Sequence, residues 1–150
     1  MGAIDPYDER LLRELARDGR VSNVELARRV GLSASATLRR VQALERDGVI
    51  AGYRATLARD RVGRGFLAYV AVGLADHSKA AQEAFERSIK RAREVSECHN
   101  VTGTVEYLLR VECANLDAYK VFHTDVLGAL PGVATITSYI VMASPKDERG

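Results

Sequence analysis

SNVELARRVGLSASATLRRVQALERDG, residues Ser22–Gly48, reads as two short helices joined by a tight turn. Ser22 is placed to cap the first helix by accepting the Glu25 amide. The Glu25 side chain is expected to return to the Ser22 amide, and Val21 to meet Leu26 as a hydrophobic staple. Gly31 follows Val30 where this helix has to stop, because glycine enters the left-handed region without a steric penalty. Ser33 offers a second cap, and the second helix is expected to run to Asp47 with Gly48 as its terminator. Ala27 is the small residue that a close helix crossing needs. Ala34, Thr37, Val41 and Leu44 recur at helical spacing, which predicts the inward stripe of the second helix.

That leaves Ser35, Ala36, Arg39, Arg40, Gln42 and Arg46 for the outside. The pattern is that of a helix-turn-helix whose second helix enters the major groove of double-stranded DNA. Arginine suits the outward positions because it neutralises phosphate and its planar fork bonds two acceptors on a guanine edge. Small residues early in the helix, Ser33, Ser35 and Ala36, permit close approach to bases. One exposed arginine would mean no more than a solvated helix face. The caps, staple, small residue, turn glycine and basic second helix together point to DNA, with Ser33, Ser35, Ala36, Arg39, Arg40, Gln42 and Arg46 as the contacting residues.

Upstream, Asp5 followed by Pro6 marks another helix start, with Ile4, Tyr7, Leu11, Leu12 and Leu15 on one face. It is expected to end near Asp18–Gly19 and to close a three-helix unit. Downstream, Val49–Ile50 and Tyr53–Leu57 predict either a small winged hairpin or a strand leading away. Residues 58–65, ARDRVGRG, lack a hydrophobic period and read as a linker. The expected organisation is a helix-turn-helix domain over 1–57, the linker, a second domain over 66–144 and a charged tail over 145–150.

The period then changes. Phe66–Leu74 is a nearly continuous apolar run and reads as a buried strand. Lys79–Ala92 carries Ala81, Phe85, Ile89 and Ala92 at helical spacing, and Val95–Thr102 is a weaker strand closed by a turn at Gly103. Tyr107, Leu109, Val111 and Cys113 alternate with Leu108, Arg110 and Glu112, as in a half-buried strand with the second set outward. Asn115 caps a helix faced by Tyr119, Phe122, Val126 and Leu130, and Val133–Met142 is the last strand. Strand, helix, strand, strand, helix, strand describes an α+β, ferredoxin-like βαββαβ sandwich with both helices on one face of an antiparallel sheet. The other face has to meet solvent or another subunit, and the doubly apolar first strand predicts that it pairs copies of the chain. A dimer of this kind would present two helix-turn-helix units to two half-sites.

Charge divides along the chain. Residues 1–64 hold thirteen arginines and no lysine against nine acidic residues, a net of +4, and the remainder carries −2. A basic front and a mildly acidic rear fit a nucleic-acid module joined to a different function. With 47% apolar and 28% charged residues the composition is globular. Cys98 and Cys113 make no disulfide framework, and there is neither a signal peptide nor an apolar run of transmembrane length, so a cytoplasmic protein without membrane association is expected.

With these residues in place, the chain resembles the Lrp/AsnC (leucine-responsive regulatory protein, feast/famine) family of transcription regulators from about Ile4 to Met142. The resemblance rests on DGRVSNVELARRVGLS (18–33), RRVQALERDGVIAGY (39–53), ECHNVTGTVEYLLRV (97–111) and LPGVATITSYIVM (130–142). It implies a regulator of amino-acid metabolism that dimerises, commonly assembles into octamers or other higher oligomers, binds promoter DNA and responds to an amino acid. It also implies an effector cleft lined by Gly103, Thr104, Val105, Glu106 and Tyr107, with help from Thr137, Ser138 and Tyr139. Backbone amides there would take the effector carboxylate and Glu106 its ammonium. The turn departs from the family's usual pattern, which has aspartate where Thr104 and Glu106 stand. Neither metal nor cofactor is implied beyond the effector.

Three rival readings have weaker support. RNA-recognition motifs share the strand order, but Phe66, Tyr69 and Tyr107 come without the glycine-aromatic-basic signature. A ferredoxin-like enzyme lacks a nucleophile-base pair, a phosphate loop or metal-ligand spacing: His77, His99 and His123 are scattered, and the cysteines read as buried thiols. An architectural protein that wraps DNA without an effector shares every feature above and is the alternative to a dedicated regulator.

Overall fold

The computed structural model describes residues 3–148, so the outermost two residues at each end of the expected domain layout lie outside it. Within it the chain divides between Ala55 and Thr56 into two compact units.

The first unit is three helices, α1 (Pro6–Arg17), α2 (Asn23–Val30) and α3 (Ala34–Arg46). Asp5 caps α1, its Oδ1 accepting from the Tyr7 and Asp8 amides at 2.9 Å each. Ser22 caps α2 and Ser33 caps α3, each hydroxyl accepting from the amide three residues on at 3.2 Å. Gly31 ends α2 at φ +73°, and the Leu32 amide returns to the Ala27 carbonyl at 3.0 Å, which makes the turn tight. Leu11, Leu26 and Val30 form the centre, with Leu15, Val21, Leu32 and Val41 packed against it. One link that local pattern does not reveal fixes α2 on α3: Asn23 Nδ2 donates to the Ala34 carbonyl at 2.8 Å.

Four expectations for this unit are corrected. Glu25 does not return to Ser22; its carboxylate is occupied by Arg28 and Arg29, which hold it down to about pKa 2, the Arg28 hydrogen bond contributing most. Ala34 is exposed and meets α2 only through its carbonyl, which accepts from Asn23, while Thr37 and Leu44 carry the buried stripe with Val41 half-buried. Ile4 and Tyr7 are also exposed, since the core reaches only as far up α1 as Leu11. Residues 47–57 contain no strand, so the wing is missing from the helix-turn-helix as it stands in one chain. Instead Tyr53 folds back, its hydroxyl donating to Glu45 at 2.8 Å.

The second unit begins with a single 3-10 turn, Arg59–Val62, and continues as β1 (Phe66–Leu74), α4 (Lys79–Ile89), β2 (Val95–Asn100), β3 (Tyr107–Cys113), α5 (Leu116–Val121) and β4 (Val133–Ile140). The sheet is antiparallel throughout in the order β2-β3-β1-β4. Both helices cover one face: Phe85 and Ile89 of α4 and Tyr119 of α5 pack on Val70, Val72, Tyr107, Leu109 and Val111. Helix α5 widens into a π-helical turn at Phe122–Leu127, which no spacing rule anticipates. The expected charged tail is partly tied down, with Asp147 3.7 Å from Arg59.

Arg110 is a further correction. The alternation of β3 holds, yet this outward-facing residue is only 7% exposed. Its Nη1 donates to Ser96 at 3.2 Å and to Glu112, while Nε and Nη2 have no hydrogen-bond partner. The open sheet face therefore already excludes water around a charge.

The Thr37 hydroxyl is buried and also lacks a hydrogen-bond partner. An unsatisfied buried polar group costs about 1–3 kcal/mol. Thr37→Val, nearly the same shape, is expected to leave stability unchanged or raise it by about 1 kcal/mol in urea unfolding, whereas Leu11→Ala is expected to cost about 2–5 kcal/mol.

Candidate nucleic-acid interface and effector turn

The first candidate surface is the outer face of α3. Ser35, Arg39, Gln42 and Arg46 are exposed along it, and Ala36 is half-buried. The Ser33 hydroxyl is committed to the cap and also lies 3.3 Å from the Ser35 hydroxyl. Arg39 makes no ion pair among the described residues, and Arg46 pairs with the neighbouring Asp47 at 3.2 Å with its own side chain 73% exposed. Pairs this exposed contribute little and exchange readily for phosphate.

Arg40 behaves differently. Its Nη1 lies 2.7 Å from Asp5 Oδ2 and 2.9 Å from Asp8 Oδ1, and its guanidinium sits 5.5 Å from the centre of the Tyr7 ring. It is thus withdrawn from the outer face and held against α1. Leu38, by contrast, is 47% exposed between Ser35 and Gln42. The sequence reading missed it because leucine is assigned to cores, although its spacing from both residues already put it on this face.

The second candidate surface is the turn after β2. Gly103 takes φ +136°, and among the described residues the amides of Thr102, Gly103, Thr104 and Val105 have no protein acceptor. Glu106 closes the turn: its carbonyl accepts from Val101 at 2.8 Å and its amide donates to Val72 at 3.2 Å. Its carboxylate accepts from the Leu74 amide at 2.6 Å through Oε2 and lies 2.7 Å from His77 Nδ1 through Oε1. The Leu74 hydrogen bond, more than His77, draws the Glu106 carboxyl below its ordinary range. Gly73 packs close beside it: a β-carbon there would fall 2.3 Å from Thr135 Oγ1 and make the threonine side chain shift.

Of the eight residues expected at the effector cleft, Gly103, Thr104, Val105 and Glu106 share this turn. Thr137 and Tyr139 lie on the open sheet face, opposite Ala71 and Tyr69. Tyr107 and Ser138 point the other way, into the helical layer. The Tyr107 hydroxyl donates to Glu86 at 2.7 Å, and Ser138 meets the Tyr119 hydroxyl. Period-two alternation forces this split, because neighbours on a strand face opposite sides. What the sequence reading missed is the trio Gly73, His77 and Thr135 around Glu106.

The remaining chemistry is sparse. Burial raises the Cys98 thiol to about 11 and lifts Cys113 as well, so both are inert thiols at neutral pH. No group of metal-ligating side chains occurs among the described residues, and none of their helices is long and apolar enough to cross a membrane.

Known protein families match both units of the chain. The family profile described as Lrp/AsnC ligand binding domain matches residues 67–150, and the one described as winged helix-turn-helix DNA-binding matches residues 4–51. The leucine-responsive regulatory protein of Escherichia coli K12 is 38% identical over 143 residues, covering 95% of this chain and 87% of that protein. A transcriptional regulator from Neisseria meningitidis, solved as its L-Met complex, superposes with a TM-score of 0.92 at 34% identity, covering 97% of this chain and 94% of that one. A feast or famine regulatory protein from M. tuberculosis, complexed with L-methionine, gives 0.82 at 34% identity, covering 99% and 98%.

The depressed Glu106 carboxyl has a stability consequence. Its contribution is fully present above the unfolded value of 4.5 and is lost as pH falls through the lower folded value. Glu106→Gln is therefore expected to unfold earlier in urea than the parent at pH 7, with the gap narrowing as pH drops below 4.5.

Proposed function

Since the chain belongs to the Lrp/AsnC family of transcriptional regulators and is a regulator rather than an enzyme, we propose that it binds promoter DNA through the outer face of α3 and answers to an amino acid at the turn closed by Glu106. The observation that carries the DNA assignment is the exposed row Ser35, Leu38, Arg39, Gln42 and Arg46 above a closed three-helix core. Arg39 and Arg46 supply charge for phosphates and guanine, Gln42 a pair of groups for adenine, and Leu38 an apolar contact for a thymine methyl. Ser35 and Ala36 let the backbone come close, and Ser33 keeps the helix start in shape.

For the effector, the four free amides of residues 102–105 suit a carboxylate, and Glu106 suits an ammonium that would share it with His77. Thr137 and Tyr139 are assigned to the open sheet face, where Leu108 and Tyr139 are 40% and 60% exposed and a second copy of the chain is expected to stack. Tyr107 and Ser138 are assigned to shaping the strands from inside. Operation in the cytoplasm as a dimer or higher oligomer, on genes of amino-acid metabolism, completes the reading.

Fluorescence anisotropy on the protein's own promoter region and on random duplex, at one fixed salt concentration, tests the first part. Arg39→Ala is expected to weaken promoter binding by about 1–3 kcal/mol if Arg39 reads a base. Equal affinity for both duplexes would support the architectural alternative. Isothermal titration with methionine, leucine and the other common amino acids tests the second part, and heat that disappears in Glu106→Ala is expected for at least one of them. Light scattering on the full chain is expected to give a dimer or larger, and a monomer at micromolar concentration would remove the stacked-sheet arrangement.

A further inference from the structure

The arginine that fits the DNA reading worst is the one the structure says most about. Arg40 lies in the middle of α3, yet its partners Asp5 and Asp8 sit 35 and 32 residues away at the start of α1. Asp5 has two tasks. Its Oδ1 caps α1 through the Tyr7 and Asp8 amides, and its Oδ2 takes Arg40 at 2.7 Å. Asp8 adds a second carboxylate at 2.9 Å, and the Arg40 side chain is only 27% exposed. Two carboxylates engage the one Arg40 guanidinium, and Arg10 lies 4.7 Å from the centre of the same Tyr7 ring. A phosphate arriving there would have to displace both carboxylates and would meet their repulsion on the way.

We propose that Asp5 and Asp8 form a clamp that keeps Arg40 off the DNA, making Arg40 a positioning residue that sets α3 on α1, and the two aspartates determinants of how strongly the domain holds non-specific duplex. This rests on the DNA-binding reading above. Its logic is economy of charge: α3 carries three arginines, and each one that reaches phosphate adds sequence-independent affinity without adding discrimination. Holding Arg40 back lowers the background against which Arg39 and Gln42 discriminate. Lowering of the Asp5 carboxyl, by the Asp8 amide first and Arg40 second, agrees with a clamp that stays charged at neutral pH.

The slope of log affinity against log salt on random duplex, measured by anisotropy with the full-length protein, counts phosphate contacts at about 0.9 per contact. Asp5→Asn keeps a cap, since asparagine caps a helix as well as aspartate does, and Asp8→Asn removes the second charge. The double variant is expected to steepen the slope by about 0.9, one added contact. Arg40→Met, which keeps the stem beside Tyr7, is expected to leave the slope unchanged in the parent and to abolish the gain in the double variant. Thermal unfolding followed by circular dichroism checks that each variant is folded.

A flatter slope in Arg40→Met alone would overturn the proposal, because Arg40 would then already touch phosphate. So would a double variant with no steeper slope, or a gain that survives Arg40→Met and thus reflects only the two lost negative charges. Failure of the parent to bind any duplex would instead sink the DNA reading itself, an outcome distinct from these.

Discussion

Strand β1 is the constraint on which the second unit depends. It is paired on both edges, to β3 and to β4, and it is apolar on both faces: Ala68, Val70 and Val72 toward the helices, Leu67 and Ala71 on the other side. The helical layer buries one face only. The opposite face gathers Leu67, Ala71, Leu108, Tyr69 and a nearly buried Arg110, a composition closer to half of an interface than to a solvated surface. Leu67 and Ala71 are already buried within one chain, so the partly exposed Tyr69 and Leu108 are what a second copy would cover under the proposed pairing, which would present two helix-turn-helix units to two half-sites.

In the first unit the corresponding economy is electrostatic. Arg17, Arg28, Arg29, Arg40 and Arg46 pair with carboxylates and Arg10 lies over the Tyr7 ring, and which arginines are so engaged decides what the surface does. Arg28 and Arg29 are spent on Glu25, with Arg29 also reaching Glu14 at 3.2 Å. Arg40 is spent on α1. On α3, Arg39 is left, and Arg46 is nearly so. The net charge of +4 over residues 1–64 already subtracts the nine acidic residues, so these pairs leave the total unchanged and decide only where on the surface it is felt.

Local rules made the caps and turns legible. Asp5, Ser22, Ser33 and Asn115 each cap a helix through an interaction spanning two or three residues, and Gly31 ends one through its own backbone angle. Sequence spacing alone carries that much information. It fails where the deciding partner lies far away in the chain. Arg40 looked outward until Asp5 and Asp8 were brought to it, Arg110 looked solvated until β2 supplied Ser96, and the Glu25 return bond lost to two arginines on the next turn. The effector turn shows the same divide. Its glycine and polar character could be read directly, whereas the Gly73, His77 and Thr135 surroundings of Glu106 required β1, the β1–α4 loop and β4 to converge.

That convergence gives the turn a mechanical meaning. Glu106 bonds the Leu74 amide at the end of β1, and its own amide bonds Val72 on the same strand. A ligand ammonium that drew the Glu106 carboxylate away would free the Leu74 amide at the place where β1 shifts register against β4, between Gly73 and Leu74. Strand β1 also carries the open face through Leu67, Tyr69 and Ala71. A contact made at the turn would thus be felt by the strand that carries the open face, with no need for a relay through the helical layer. Under the proposed function, effector binding at this turn and pairing through the open face would both draw on β1, and by linkage an assembled form that favoured one position of Glu106 would bind the effector with a different affinity from the form that favoured the other.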